Sequence, residues 1–295
     1  MPTPTDESIV PDYCPECGNP LNPDIDQDAS SDLCSSCMRE VESVILSYST
    51  KPRPIFHRNV DDTRSVATTE YYGIELEMEC ISVEREEAAR TIRDSGNGFV
   101  YIKSDCSLEC GIEVVSHPGT LDFWTDPTGD ANSMLACLDS MGGVQAYDTE
   151  TCGMHIHVGR ASLSGYAQFR LMAFGARNDE YLFKVSRRKR EKFDRYSGED
   201  TSSIRQMVHK AKGGIEGSRY VSFNCTTKTI ECRIFRGTIH SSSVLRNLLW
   251  FDVLIQFVKA PTSTRDDLHP EAFREWAKAN LDKRKYSKVF KWELF

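Results

Sequence analysis

No stretch of this 295-residue chain is apolar for long enough to cross a bilayer. Its first dozen residues are acidic and proline-containing, with no apolar core of a secretory signal, so a soluble protein of the cytoplasm is the expectation. An excess of positive charge is missing as well. Residues 1–50 hold ten acidic side chains against Arg39 alone, and the remainder is close to neutral, so no bulk field advertises nucleic-acid binding. The usual nucleotide signatures are absent: there is no Gly-x-x-x-x-Gly-Lys-Ser/Thr loop, no Gly-x-Gly-x-x-Gly opening a helix and no kinase motif set. A His-Glu-x-x-His zinc helix and a Gly-x-Ser-x-Gly nucleophile elbow are also lacking. Any nucleotide must then be held through metals and arginines.

What is present begins with eleven cysteines. Cys14, Cys17, Cys34 and Cys37 form two Cys-x-x-Cys pairs, a spacing that closes a tetrahedral Zn²⁺ site and supplies the folding energy a small core cannot. The other seven are scattered, several in apolar runs, which fits reduced buried thiols better than a disulfide framework.

This divides the chain into a zinc-ribbon unit at 1–50, a linker with Pro52 and Pro54 at 51–69, and a larger unit at 70–295. A short helix is expected at Met38–Tyr48. In the larger unit strand-like runs fall at 71–81, 98–103, 111–116, 152–158, 219–225 and 229–236. Helix-like runs fall at 84–94, 129–142, 162–185, 243–259 and 270–281. The order has no βαβ rhythm, which predicts an α+β fold with a mainly antiparallel sheet packed with helices. The aromatic and basic segment 285–295 has no assigned place.

The chemistry sits on alternate positions of the strands. Glu75, Glu77 and Glu79 share one face of the first run, His155 and His157 one face of another, and Glu231 and Arg233 one face of the last, while the opposite faces are apolar. Each set has an ordinary reading: a solvated acidic edge, histidines packed on a sheet, an ion-pair ladder. Together with Glu113, which lies among apolar neighbours, they read as a sheet face that needs divalent cations and phosphate to be affordable. Asp105 and Ser107 lie in a turn-like stretch, and Arg187, Arg188, Lys189, Arg190 and Lys192 form a basic cluster that is either a solvated face or part of a polyphosphate site.

An ordered set of segments carries a resemblance. It runs Gly73-Ile74-Glu75-Leu76-Glu77, then Lys103-Ser104-Asp105-Cys106-Ser107-Leu108 into Glu113-Val114-Val115-Ser116, then Cys152-Gly153-Met154-His155-Ile156-His157-Val158, and last Arg219-Tyr220-Val221-Ser222-Phe223-Asn224 and Thr229-Ile230-Glu231-Cys232-Arg233-Ile234-Phe235-Arg236-Gly237-Thr238. In these segments the chain resembles the amidoligase family of the glutamine synthetase-like carboxylate–amine ligases, over roughly 70–295. Ser116-His117-Pro118 departs from the commoner Ser-Pro. The resemblance implies a sheet curved around an ATP site, with two or three Mg²⁺ or Mn²⁺ ions. It implies Glu75, His155 and Glu231 on the metal nearer the phosphates and Glu77 and Glu113 on the metal nearer the substrate. His157 is then expected beside the nucleotide, with Ser107 and Arg187 also on the nucleotide side. Arg219, Arg233 and Arg236 would stabilise the transferred phosphoryl group and the substrate carboxylate, and Asp105 would accept a proton from the incoming amine.

The expected activity is therefore ATP-dependent joining of a carboxylate-bearing and an amine-bearing substrate. Two alternatives stand beside it: a phosphotransferase on the same scaffold, and a catalytically degenerate adaptor that docks through the zinc ribbon.

Overall fold

The structure is a computed structural model that describes residues 43–198, 202–215, 218–261, 267–293 and 295. The four cysteines of the expected zinc ribbon lie outside these residues.

Among the described residues nine strands form one sheet: β1 (Ile45–Leu46), β2 (Tyr71–Cys80), β3 (Val100–Lys103), β4 (Gly111–Ser116), β5 (Gly119–Thr120), β6 (Val144–Gln145), β7 (Gly153–Gly159), β8 (Phe223–Cys225) and β9 (Thr229–Arg236). The order across the sheet is β1-β3-β4-β2-β7-β9-β8, with β5 and β6 flanking β2. Every strand pair is antiparallel except β1 with β3. This is the mixed α/β architecture with a large, mostly antiparallel sheet that the motif order predicts.

The sheet is two-faced because its strands alternate. Tyr72, Ile74, Leu76 and Met78 of β2 point to one side and are essentially fully buried, as are Ile112 and Val114 of β4, Met154, Ile156 and Val158 of β7, and Ile230, Cys232 and Ile234 of β9. Among the described residues ten helices accompany the sheet: α1 (Arg85–Ser95), α2 (Leu121–Thr125), α3 (Asp130–Ser140), α4 (Gly165–Arg177), α5 (Asp179–Ser186), α6 (Arg190–Ser197), α7 (Ile204–Ala211), α8 (Ser241–Lys259), α9 (Pro270–Asn280) and α10 (Ser287–Phe290). The longest, α8, is apolar around most of its circumference and runs through the core. Its Phe251 stacks on Phe223 of β8 at 6.0 Å. Its Asp252 accepts hydrogen bonds from the Tyr72 and Tyr286 hydroxyls, both at 2.6 Å. That pair of bonds ties the C-terminal segment to the sheet, and Val289, Trp292 and Phe295 are buried beside it.

The structure adds short elements that the sequence reading does not contain, among them the helices Arg190–Ser197 and Ile204–Ala211, and it alters three that the reading does contain. Ile45–Leu46 is a strand parallel to β3, not part of a helix, and Val44 enters the core, so the end of the expected first unit completes an edge of the larger one. The run expected as one helix over 162–185 is two, broken at Asn178. The Asn178 side-chain amide donates to the carbonyls of Phe174 (2.8 Å) and Leu268 (3.1 Å), an alternative to continuing the helix. The expected strand at 219–225 is only Phe223–Cys225, so Arg219 sits on an irregular lead-in.

Candidate active site

The second face of the sheet forms the floor of a cleft of about 590 Å³. Register explains how the residues meet. Glu77 on β2 is opposite Glu113 on β4, which is opposite Lys103 on β3. Glu75 on β2 is opposite His155 on β7. His157 on β7 is opposite Glu231 on β9, and Glu231 is opposite Asn224 on β8. Six neighbouring strands thus lay one row of polar and ionisable groups beside the next.

Glu75 bridges the two histidines. Its Oε2 is 3.2 Å from His155 Nδ1, and its Oε1 is 3.2 Å from His157 Nε2. His155 Nδ1 also lies 3.4 Å from Glu231 Oε1. Glu231 accepts further from Asn224 Nδ2 at 2.9 Å and contacts the Arg233 guanidinium. Ligand atoms of Glu75, His157 and Glu231 lie within 4.8 Å of one another, and so do those of Glu77, Asp105 and Glu113. His157 thus lies within the first set and Asp105 within the second.

Charge is distributed unevenly between these clusters. Burial pushes the Glu75 carboxyl up, but the His157 and His155 imidazoles outweigh it and hold Glu75 well below the carboxylate range. Burial likewise raises Glu231, and His155, His157 and Arg233 overcome it to bring the group down. His157 is pushed up to about 9, because Glu75 and Glu231 overcome a burial effect that would lower it. The second cluster has no imidazole. Glu113 is pushed up to about 8 by burial first, then by the neighbouring Glu75, Glu77 and Asp105, against the pull of Lys103 Nζ at 3.5 Å. Glu113 Oε2 and His157 Nε2 are buried and make no hydrogen bond in the proper geometry. Each has only an ion-pair contact, His157 Nε2 with Glu75 and Glu113 Oε2 with Lys103, and each sits in a set of three converging ligands, which fits divalent cations. The second set is all oxygen, suited to Mg²⁺ or Mn²⁺, and the first mixes oxygen with imidazole nitrogen.

A bulge shapes the middle of the site. The β7–β9 register slips between Met154 and Ile156, so two residues of β9, Arg233 and Ile234, face His155 alone. Carbonyls freed from the ladder need partners. Arg188, buried, supplies them: its Nε donates to Ile234 O at 3.1 Å. Burial brings the Arg188 guanidinium down to about 10, with Glu77 opposing. Gly153 leaves the space this needs. A Cβ there would stand 2.6 Å from Arg188 Nη2 and 3.3 Å from Glu77 Oε2, while its N–H donates to Glu77 Oε2 at 2.6 Å.

The cleft rim is basic and aromatic. The Arg219 guanidinium lies 4.9 Å over the Tyr220 ring, Arg233 lies 5.7 Å over the same ring, and Arg188 faces Tyr196 at 5.8 Å. Asp105 and Ser107 line the wall, with Asp105 Oδ1 accepting the Ser107 N–H at 2.7 Å. Two expected site residues are elsewhere. Arg187 and Arg236 line a separate pocket with Lys192. The cause is geometric: Arg236 lies at the far end of β9 beyond the bulge, and Arg187 ends α5 in a left-handed conformation, φ 58°, while Arg188 turns inward. Glu79 shares the face of Glu75 but is used locally, accepting the N–H groups of Glu109 (3.0 Å) and Cys110 (2.9 Å). The sequence offers Arg188 only as one member of a basic cluster, carries Lys103, Tyr220 and Asn224 only inside motifs without a role, and gives no sign of Tyr196. Asn224 and Lys103 had a findable signal, because each occupies the cleft-facing phase of a short strand.

No protein-family model and no curated protein matches this chain. Among the solved structures, the complex between Prokaryotic Ubiquitin-like Protein Pup and its ligase PafA aligns with it at 11% identity, a TM-score of 0.36, and coverage of 76% of this chain and 62% of that one. The chain thus spans less than two thirds of that neighbour's length. A likeness so distant carries nothing about this chain's chemistry, which has to be read from its own residues.

Proposed function

We propose that the protein is an ATP-dependent carboxylate–amine ligase that works through an acyl phosphate. The observation that carries this reading is the pairing of two ligand clusters, Glu75/His157/Glu231 with His155 and Glu77/Asp105/Glu113, side by side on one sheet face beneath arginines. The ordered motif resemblance points the same way.

Glu75, His155, His157 and Glu231 would hold a cation on the nucleotide side, and Glu77 and Glu113 one on the substrate side. Bound there, the ions would neutralise charge on the phosphoryl and carboxylate oxygens. The protein's own side chains account for the rest. Arg233 and Arg219 face the cleft from the β9–β8 side and would balance the charge that spreads over the transferring oxygens. Lys103 and Arg188 flank Glu113 and Glu77 and would orient the acceptor carboxylate. That carboxylate attacks the terminal phosphorus, the bond to the bridging oxygen breaks, and ADP leaves. The amine nitrogen then attacks the acyl carbon, the carbon–oxygen bond to phosphate breaks, and the nitrogen loses a proton. Asp105, half-buried at the wall of the second cluster, is the carboxylate we assign to accept it.

The test is ADP release from the full chain over a panel of carboxylates and amines, with mass detection of product. Release that needs a divalent cation, a carboxylate and an amine together, with an amide as product, supports the reading. A stable phosphorylated product without an amide refutes it in favour of a phosphotransferase. Full turnover by Glu231→Gln would also refute it.

A further inference from the structure

Arg187 and Arg236 line a cavity of about 190 Å³ on the other side of Arg188 from the cleft, together with Lys189 and Lys192. The same two arginines, with Arg246, Thr238 and Ser243, line a second pocket of about 10 Å³. Asp148 and Glu150, which line the larger one, are spent on Lys189 (3.7 Å) and Lys192. Among the described residues no ion pair engages Arg187, Arg236 or Arg246.

Arg246 is the telling member. It projects from the first turns of α8, its Nε is buried without a hydrogen-bond partner while its Nη2 donates to Asn247 Oδ1 at 3.3 Å, and its guanidinium lies 4.8 Å over the ring of the buried Trp292. Burial brings it down to about 10, and the charges of Arg187 and Arg236 push in the same direction. Arg187 lies against the same indole at 5.5 Å and holds a left-handed backbone conformation that a glycine would adopt without strain. Two of these charges lie against one indole, Arg236 adds a third beside them, and the buried Arg246 Nε has no hydrogen-bond partner, an arrangement that an anion would relieve. Forked guanidinium donors from three directions, with a lysine and two hydroxyls, suit a tetrahedral dianion better than a planar monoanion.

We propose that Arg187, Arg236 and Arg246 form a second oxyanion pocket, separate from the carboxylate-lined cleft, that takes the phosphate group of a phosphorylated ligand or phosphate itself. The pocket stands whether or not the ligase reading does.

Calorimetric titration of the full chain in a phosphate-free buffer with EDTA tests it. Without cations the cleft presents Glu75, Glu77, Glu113 and Glu231 and repels anions, so uptake reports on the arginine pocket. Inorganic phosphate is expected to bind saturably, one per chain, and more weakly as salt rises. Arg246→Gln and Arg236→Gln are each expected to weaken it about tenfold, while Glu231→Gln leaves it unchanged. Arg236 is exposed at a strand end, so its variant folds even if the Arg246 variant does not. Tighter binding of ADP than of phosphate with the same arginine dependence identifies the ligand as a nucleotide; phosphate binding alone identifies the free ion. Equal binding of malonate overturns the assignment to phosphate. No saturable uptake at low salt, or unchanged uptake by Arg236→Gln, overturns the pocket.

Discussion

Replacing Glu113 by glutamine should stabilise the cation-free protein and weaken its response to cations. Glu113 is 4% exposed and faces Glu77 directly across the sheet. Its folded pKa is raised to about 8 from the ordinary 4.5, so between those values the folded protein holds a proton that the unfolded chain has lost. Stability then falls as pH rises through that window. At pH 7.5 the gap is about three pH units, which sets a ceiling of about 4 kcal/mol at about 1.4 kcal/mol per unit. Glutamine gives up the contact with Lys103, worth up to about 1 kcal/mol, and solvent relaxation lowers the ceiling further. A net gain of about 1–3 kcal/mol remains, or a rise in Tm of about 2–6 °C for a chain of this size. Melting curves in EDTA at pH 5 and 7.5 measure it. The gain should shrink towards pH 5, where the wild-type group is protonated in the folded protein and the gap to the ordinary 4.5 is only about half a pH unit. Saturating Mn²⁺ or Mg²⁺ should raise the wild-type Tm more than that of the variant. A variant that melts below wild type in EDTA at pH 7.5, or that gains as much from the cation, would show that Glu113 is not a strained carboxylate awaiting a metal.

The same charges predict proton release. Cation uptake at pH 7 should expel protons from His157 and Glu113, so affinity should climb from pH 6 to 8; calorimetry in two buffers of different ionisation enthalpy reads the number, and a value of zero contradicts the ligand assignment. Gly153→Ala should dislodge Arg188 and lower turnover by one to two orders of magnitude at little cost in Tm, measured by the ADP assay beside a melting curve. Tyr286→Phe, which removes one of two hydroxyls from buried Asp252, should cost about 1–3 kcal/mol in urea unfolding without changing cation binding. Asp105→Asn should lower kcat by about 10²–10⁴ if it accepts the amine's proton, and hydroxylamine, which reacts with less need for a base, should recover more of the rate than a simple alkylamine does.

Period-two alternation made the central strands legible. Ile74, Leu76 and Met78 on one side and Glu75 and Glu77 on the other fix both the core face and the cleft face of β2. What alternation could not supply is register between strands distant in sequence. Nothing in the segment around residue 155 says that Glu75 will lie opposite it, or that a bulge will set Arg233 and Ile234 against a single histidine. Nor does alternation say which way neighbouring arginines in a turn will face. Arg187 and Arg188 are adjacent in the chain and indistinguishable by composition, yet the left-handed turn at the first sends it outward while the second is buried on the carbonyls of β9. Ile45–Leu46 looked helical because its parallel partner, β3, lies more than fifty residues away.

The two faces of the sheet are under opposite thermodynamic demands, and this is the strongest reason to expect a polyvalent cationic partner in the cleft. On the core face burial alone suffices. On the cleft face four glutamates are partly or fully withdrawn from water, and the nearby basic groups engage them unequally: Glu75 and Glu231 have His155, His157 and Arg233, whereas Glu113 has Lys103 at 3.5 Å and still retains its proton up to about pH 8. A purely structural ion-pair network would be more stable replaced by well-packed apolar residues. Protonating Glu113 relieves one charge but leaves Glu77 and Asp105 within 4.8 Å of it, still facing each other. Divalent cations relieve both clusters at once and, in doing so, create a positively charged floor beneath Arg219 and Arg233. Such a floor would attract a polyphosphate and a carboxylate, so the charge pattern that strains the empty cleft is the one that would position both reactants for transfer.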